Sequence, residues 1–229
     1  MRSRLVRPSP LQVVLFGLDD FARLAFTYLT QDSPYKVAGF TVHERYLRKK
    51  SFLGRKVVPF ERVEESFHPK RFSMFVAIGF KKVNKARAAV YHQCKEKGYR
   101  LIRYVSSRAV YFGEVAIGDN CFILENNVLQ PNVTIGNDCI LWSGNHIGHN
   151  STLGDHCFIS SHAVISGNVT VGPYCFIGVN ATLRDGITVA PECVIGAGAL
   201  VLKDTRPRQV FAADGTPPAR LTSAQLRGF

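Results

Sequence analysis

The chain has no run of apolar residues long enough to span a bilayer. Its basic lead, Met1–Pro10, lacks the apolar core of a secretory signal. A soluble, cytoplasmic protein is therefore expected. No CxxC pair occurs among the six cysteines, so neither a redox motif nor a zinc knuckle is indicated. Nor is there an arginine-rich tract with interleaved aromatics or a recognition-helix signature, which argues against a nucleic-acid partner. The formal charge of +12 leaves two readings open, an anionic partner or a solvated basic face. An intact dinucleotide fingerprint is also missing. FGLDDFA keeps one glycine but not the other two, and an Asp at this turn reads as a helix cap.

What the chain does have is a period. From Ile117 in steps of six come Ile123, Leu129, Ile135, Leu141, Ile147 and so on to Val201, each stop Ile, Leu or Val. Cys121, Cys139, Cys157, Cys175 and Cys193 recur every eighteen residues, each four places beyond an aliphatic stop. Such self-similarity marks a solenoid. Residues two apart in a short strand share a face, so each aliphatic stop and the small residue two before it point inward. Three hexads make one triangular turn, with residue n below residue n+18, and five turns span 115–204. The stacked cysteines are then buried small hydrophobes in a reducing compartment.

Before the coils, apolar runs alternate with helical patterns. Leu11–Phe16, Tyr35–Val42, Val57–Pro59, Phe72–Ile78 and Arg100–Val105 read as strands, and the segments after Asp19, Glu61 and Val83 as helices, the last closed by Gly98. This pattern predicts a small Rossmann-like α/β domain over 11–106 with a parallel sheet. The coils then fill 107–204, and a polar tail over 205–229 lies back on them. Ligands of the first domain are expected at the carboxyl ends of its strands, near Gly17, Thr41 and Gly79. His146, His149, His156 and His162 fall within seventeen residues, which singles out the second and third coils as the place for chemistry.

Four segments carry a family resemblance: IGHNSTLG (147–154), VAIGFKKVNKAR (76–87), SGNVTVGPYCFIGVNATL (166–183) and GTPPAR (215–220). They are similar to the hexapeptide sugar O-/N-acyltransferases typified by the bacillosamine-pathway N-acetyltransferase and the sialic-acid O-acetyltransferase. The resemblance implies a left-handed parallel β-helix and acetyl-CoA-dependent N-acetylation of a nucleotide-linked amino sugar in cell-surface polysaccharide synthesis. It also implies a homotrimer with sites between subunits and no metal. His149 stands at the position of the general base, and the Gly167 N–H, one coil later, at that of the oxyanion donor. Gly178, Val179, Gly196 and Ala197 match positions along the pantetheine arm, with Lys203, Arg206, Arg208 and Arg220 as partners for the phosphates. Trp142, Asn145, Phe158 and His162 are expected near the substrate, Phe158 at a position where some relatives place a second histidine. No carboxylate adjoins His149, so His162 or Asn145 is expected to orient it. Gly39–His43 lacks the acidic residues of relatives that hold a uridine nucleotide, so a GDP- or dTDP-linked sugar fits as well. Three alternatives accompany this reading: sugar O-acetylation on the same scaffold, a zinc enzyme like the γ-class carbonic anhydrases, and a non-catalytic binding solenoid.

Overall fold

The aliphatic stops do point inward. In a computed structural model that describes residues 11–220 and 223–225, every stop from Ile123 to Val201 is buried, and Cys121 through Cys193 are fully buried among them. The lead Met1–Pro10 and the end of the tail lie outside the described residues. Each hexad supplies a two-residue strand, and strands pair in parallel with the register n to n+18, as in Ile140 with Phe158 and Thr134 with Thr152. The cysteines do more than fill space. Cys121, Cys139, Cys157 and Cys175 each donate their S–H to a carbonyl fifteen residues on, as from Cys121 to Gly136 O at 3.0 Å and from Cys139 to Gly154 O at 3.1 Å, and Cys193 donates to Arg206 O at 3.2 Å. All six remain free thiols.

The three faces of the prism differ in what they turn outward. One, built from strands such as Phe122–Ile123, Ile140–Leu141 and Phe158–Ile159, carries large apolar residues that are buried under the N-terminal unit. A second presents Thr134, Thr152, Thr170 and Thr188 to solvent. The third, from Val110–Tyr111 through His146–Ile147 to Leu200–Val201, is apolar yet uncovered: Val164 is 39% exposed and Leu200 61%. Corners need backbone with positive φ, which Asn tolerates best among non-glycine residues. Asn126, Asn132, Asn150, Asn168 and Asn180 occupy such corners, and so do His156 and His162.

The N-terminal unit is built from β1 (Gln12–Phe16), α1 (Asp20–Gln31), β2 (Lys36–Val42), β3 (Ser51–Phe52), β4 (Arg55–Pro59), α2 (Val63–Ser66), β5 (Ser73–Val76) and α3 (Lys85–Glu96). Asp19 caps α1 by accepting from Ala22 N at 3.2 Å, and Gly98 ends α3 at φ +80°. The sheet order is β3-β4-β2-β1-β5. It is mixed rather than wholly parallel, because Leu53 and Gly54, both at positive φ, turn β3 back antiparallel to β4. Arg100–Val105 is not a further strand of this sheet. Only Leu101 bridges to Met74, while Tyr104–Val105 pairs with Phe122–Ile123 and already belongs to the coils. The segment 106–113, ahead of the five turns expected from 115, supplies another coil strand at Val110–Tyr111. At the far end, Val210–Phe211 pairs with Val194–Ile195 and extends one face of the coils past the end expected at 204.

A buried polar hub locks the two parts together. Arg87, fully buried, donates to the carbonyls of Gly79, Asp138, His156 and Cys157 and pairs with Asp138 Oδ1 at 3.2 Å. Asp138 also accepts from Asn120 Nδ2 at 2.7 Å and lies 2.8 Å from His156 Nδ1. Asn120 Oδ1 in turn accepts from Val76 N of β5, and Asn84 Nδ2 donates to Cys175 O. The segment 76–87 thus seats β5 and α3 on the coils.

Candidate active site

His149 precedes the Asn150 corner, between the threonine face and the uncovered apolar face, and its side chain is exposed. Its own N–H donates to Gln130 Oε1 at 2.9 Å, which fixes the backbone from the coil before. The ring leans toward the coil after. A Cβ placed on Gly167 would lie 2.6 Å from His149 Nε2 and 2.7 Å from Cε1, so any side chain there has to displace the imidazole. Among the described residues nothing accepts from the Gly167 N–H. An unpaired main-chain donor beside an imidazole nitrogen can do two things at one atom pair: remove a proton and hold a developing negative charge.

The ring is oriented neither by His162 nor by Asn145. Asn150 Nδ2 lies 3.2 Å from His149 Nδ1, and Asn150 is itself held in a ladder, accepting from Asn132 Nδ2 at 3.0 Å and donating to Asn168 Oδ1 at 3.1 Å. Asn145 is buried inside the coil, donating to Asn127 Oδ1 and accepting from Ala163 N. His162 sits at a different corner, its ring over Gly144. The four histidines diverge altogether. His146 points from the apolar face, and His156 is buried at the third corner, stacked on Tyr174 and bonded to Asp138. No three His, Cys, Asp or Glu among the described residues converge on a metal-sized centre.

Phe158 and Trp142 are also misplaced by the sequence reading. Phe158 is 4% exposed, stacked on Phe176 and packed against Phe80 beneath the N-terminal unit. Trp142 packs on Phe21 and Phe158, with its Nε1 buried and unpartnered among the described residues. Both are interdomain core rather than site residues. Thr41 fares the same way: it is fully buried and its hydroxyl donates to Val58 O at 2.9 Å. Gly17 directly follows β1, and Gly79 lies three residues beyond β5. Gly17 N donates to Thr41 O at 3.0 Å, and a Cβ there would meet Ala77 O at 2.6 Å, whereas the space over Gly79 is open.

Gly178, Val179, Gly196 and Ala197 fall at the corner shared with His162, on the opposite edge of the apolar face from His149. Gly178 and Gly196 give their N–H groups to the ladder, but the N–H groups of Val179 and Ala197 have no partner among the described residues. Those two residues are exposed, Val179 by 43%. Lys203, Arg206 and Arg220 are exposed, while Arg208 is paired with Glu192. No helix among the described residues is long and apolar enough to cross a membrane.

With this geometry in place, comparison with known proteins decides the repeat type. Residues 114–147, 135–167 and 168–203 match the bacterial transferase hexapeptide (six repeats) family. The coils are those of a left-handed parallel β-helix. The whole architecture is similar to a mutant perosamine N-acetyltransferase from Caulobacter crescentus, solved with CoA and GDP-perosamine, at 24% identity and a TM-score of 0.76 over 84% of this chain and 89% of that one. It is also similar to the acetyltransferase domain of PglB from Neisseria gonorrhoeae, at 21% identity and a TM-score of 0.75 over 87% of this chain and 95% of that one. WeeI from Acinetobacter baumannii gives 18% identity and a TM-score of 0.76 over 86% of this chain and 94% of that one. No curated protein sequence matches the chain.

Proposed function

We propose that the protein is an N-acetyltransferase that moves the acetyl group of acetyl-CoA to the amino group of a nucleotide-linked amino sugar, in the cytoplasm and toward cell-surface polysaccharide. The observation that carries this reading is the His149 ring over Gly167, with the unpaired Gly167 N–H beside it. An ammonium must lose a proton before its nitrogen can attack a thioester, and a neutral imidazole takes it. The base form of His149 needs its own proton on Nδ1, with an oxygen to receive it. Turning the Asn132, Asn150 and Asn168 amides over together reverses the ladder, keeps both of its bonds and brings Asn150 Oδ1 to that nitrogen. The carbonyl oxygen, as it gains negative charge, accepts from the Gly167 N–H. Sulfur then leaves with a proton from the imidazolium. No acyl-enzyme is needed, and the buried cysteines are out of reach of such a role.

The predicted pantetheine positions and His149 flank the same apolar face from opposite edges. A trimer that packs these faces around its axis brings one edge of each protomer against the other edge of the next. That arrangement would place Val179 and Ala197 of one subunit opposite His149 of its neighbour, and it gives the uncovered Val164 and Leu200 a partner. The solved neighbour that holds CoA and GDP-perosamine supports the two substrate classes. The test is release of free thiol from acetyl-CoA in the presence of a panel of nucleotide-linked amino sugars. Acceptor-dependent release that vanishes in His149→Ala is expected, and the absence of release with every acceptor would refute the reading.

A further inference from the structure

The column of His149 and Gly167 continues to a third residue. Asp185 stands eighteen positions beyond Gly167 and is exposed. Its Oδ1 lies 2.9 Å from the point a Cβ on Gly167 would occupy, the same point that His149 Nε2 approaches to 2.6 Å. Imidazole and carboxylate thus lean toward each other from the coils on either side, with the bare Cα of Gly167 between them. A carboxylate at the equivalent place of another corner has a structural duty: Asp155 Oδ1 accepts from Asn137 N at 2.6 Å. Asp185 has none, since no hydrogen bond or ion pair engages it among the described residues.

A negative charge here opposes the oxyanion that forms on the thioester oxygen, because like charges in a shared site disfavour each other. A cation in the gap reverses the sign of that effect. We propose that Asp185 selects a cationic acceptor, holding the substrate ammonium between its carboxylate and His149 Nε2 and disfavouring hydroxyl acceptors. This rests on the acetyl-transfer reading above and deepens it. His149 takes one proton from the ammonium, the freed nitrogen pair forms the C–N bond, and the carbonyl π pair moves onto oxygen. The nitrogen, now cationic again, sits beside Asp185 while the oxygen sits at the Gly167 N–H. The oxygen pair re-forms the carbonyl as the C–S bond breaks, the thiolate takes the imidazolium proton, and the extra proton on nitrogen goes to water. An alcohol deprotonated as it attacks brings no positive charge at any stage, so Asp185 only hinders it.

The experiment compares full-length wild type with Asp185→Asn, using acetyl-CoA with GDP-perosamine as the cationic acceptor and with water as the neutral one. In the variant, kcat/KM for the amine should fall by about tenfold or more, chiefly through the KM for the acceptor, while hydrolysis of acetyl-CoA rises. A structural role moves the two rates together, not apart. If GDP-perosamine is not accepted, the hydrolysis arm decides alone: a rise supports the proposal and no change overturns it. Both rates within twofold of wild type, alongside a His149→Ala variant that loses them, overturn the role of Asp185 and leave acetyl transfer standing. Wild type that releases no thiol with water or with any acceptor of the nucleotide-linked amino-sugar panel overturns both.

Discussion

His149 Nε2 occupies space that a Cβ on Gly167 would need, the two being 2.6 Å apart on a hypothetical alanine. Gly167→Ala must therefore push the imidazole aside, and a displacement of about 1 Å at reacting atoms costs about 100-fold in rate. The expected result is a loss of kcat on that scale with CoA binding and melting temperature near wild type. His149→Ala should lose about 10²- to 10⁴-fold, the span of general-base catalysis. Stopped-time thiol release at saturating acetyl-CoA measures both. Near-normal turnover in Gly167→Ala would mean that this glycine is spacing alone.

Arg87 is the structural counterpart, and it should respond in stability rather than rate. Its guanidinium is the cation paired with the buried Asp138 carboxylate and gives hydrogen bonds to four carbonyls. Removing one member of a buried pair typically costs about 3–5 kcal/mol, because the other charge is left without its partner. Arg87→Met should lower the urea midpoint accordingly. Arg87→Lys should recover little, since an ammonium cannot span the same set of acceptors. A midpoint shift under about 1 kcal/mol equivalent in Arg87→Met would refute the hub.

Asp32 gives a prediction in pH. Ser107 first, then Tyr104, with Ser106 adding less, donate hydrogen bonds to its carboxylate and hold it down to about 2. A folded value below the unfolded one contributes stability above the unfolded value, near pH ~4, which is lost as pH falls toward the folded value. The group is partly exposed, so the contribution is about 1 kcal/mol rather than the full shift. Thermal melts of wild type and Asp32→Asn should differ at pH 6, and the gap should close between about pH 4 and pH 2. A gap that stays constant over that range would show that the carboxylate charge contributes nothing.

The coils were legible because one physical rule, alternation within a strand, repeats without interruption from Ile117 to Val201. What that rule could not tell was which outward face the N-terminal unit covers. Phe158 and Trp142 read as substrate contacts for that reason, yet they are packed under α1 and the loop before α3. The histidine cluster misled for a related reason. A hexad turns one corner of the prism, so thirteen residues carry the chain from His149 past two corners to His162. Vertical neighbours are eighteen apart instead. Gly167 lies eighteen beyond His149 and Asp185 eighteen beyond Gly167, so these three share one column, although the roles of the first two came from the family resemblance. Thr41 was hidden by something the strand pattern does not encode, a hydroxyl turned back onto the neighbouring strand.

The uncovered face supplies the last prediction. Val110, Val164 and Leu200 turn 43%, 39% and 61% of their surface to solvent, although they lie on the one apolar face that the N-terminal unit leaves bare. An apolar stripe of this kind is stable in water when a second surface covers it. If that surface is the same face of another copy, a charge placed there enters a shared interface and is desolvated. Leu200→Asp should then separate the subunits, and its cost to the folded protomer should be small because the side chain already faces outward. Sedimentation is expected to change from trimer to monomer with the β-helix circular dichroism retained. CoA affinity should fall at the same time, since the edge carrying Val179 and Ala197 and the edge carrying His149 come from different subunits in this assembly. A Leu200→Asp protein that remains trimeric, or a monomer that binds CoA as tightly as wild type, would refute the shared-site arrangement.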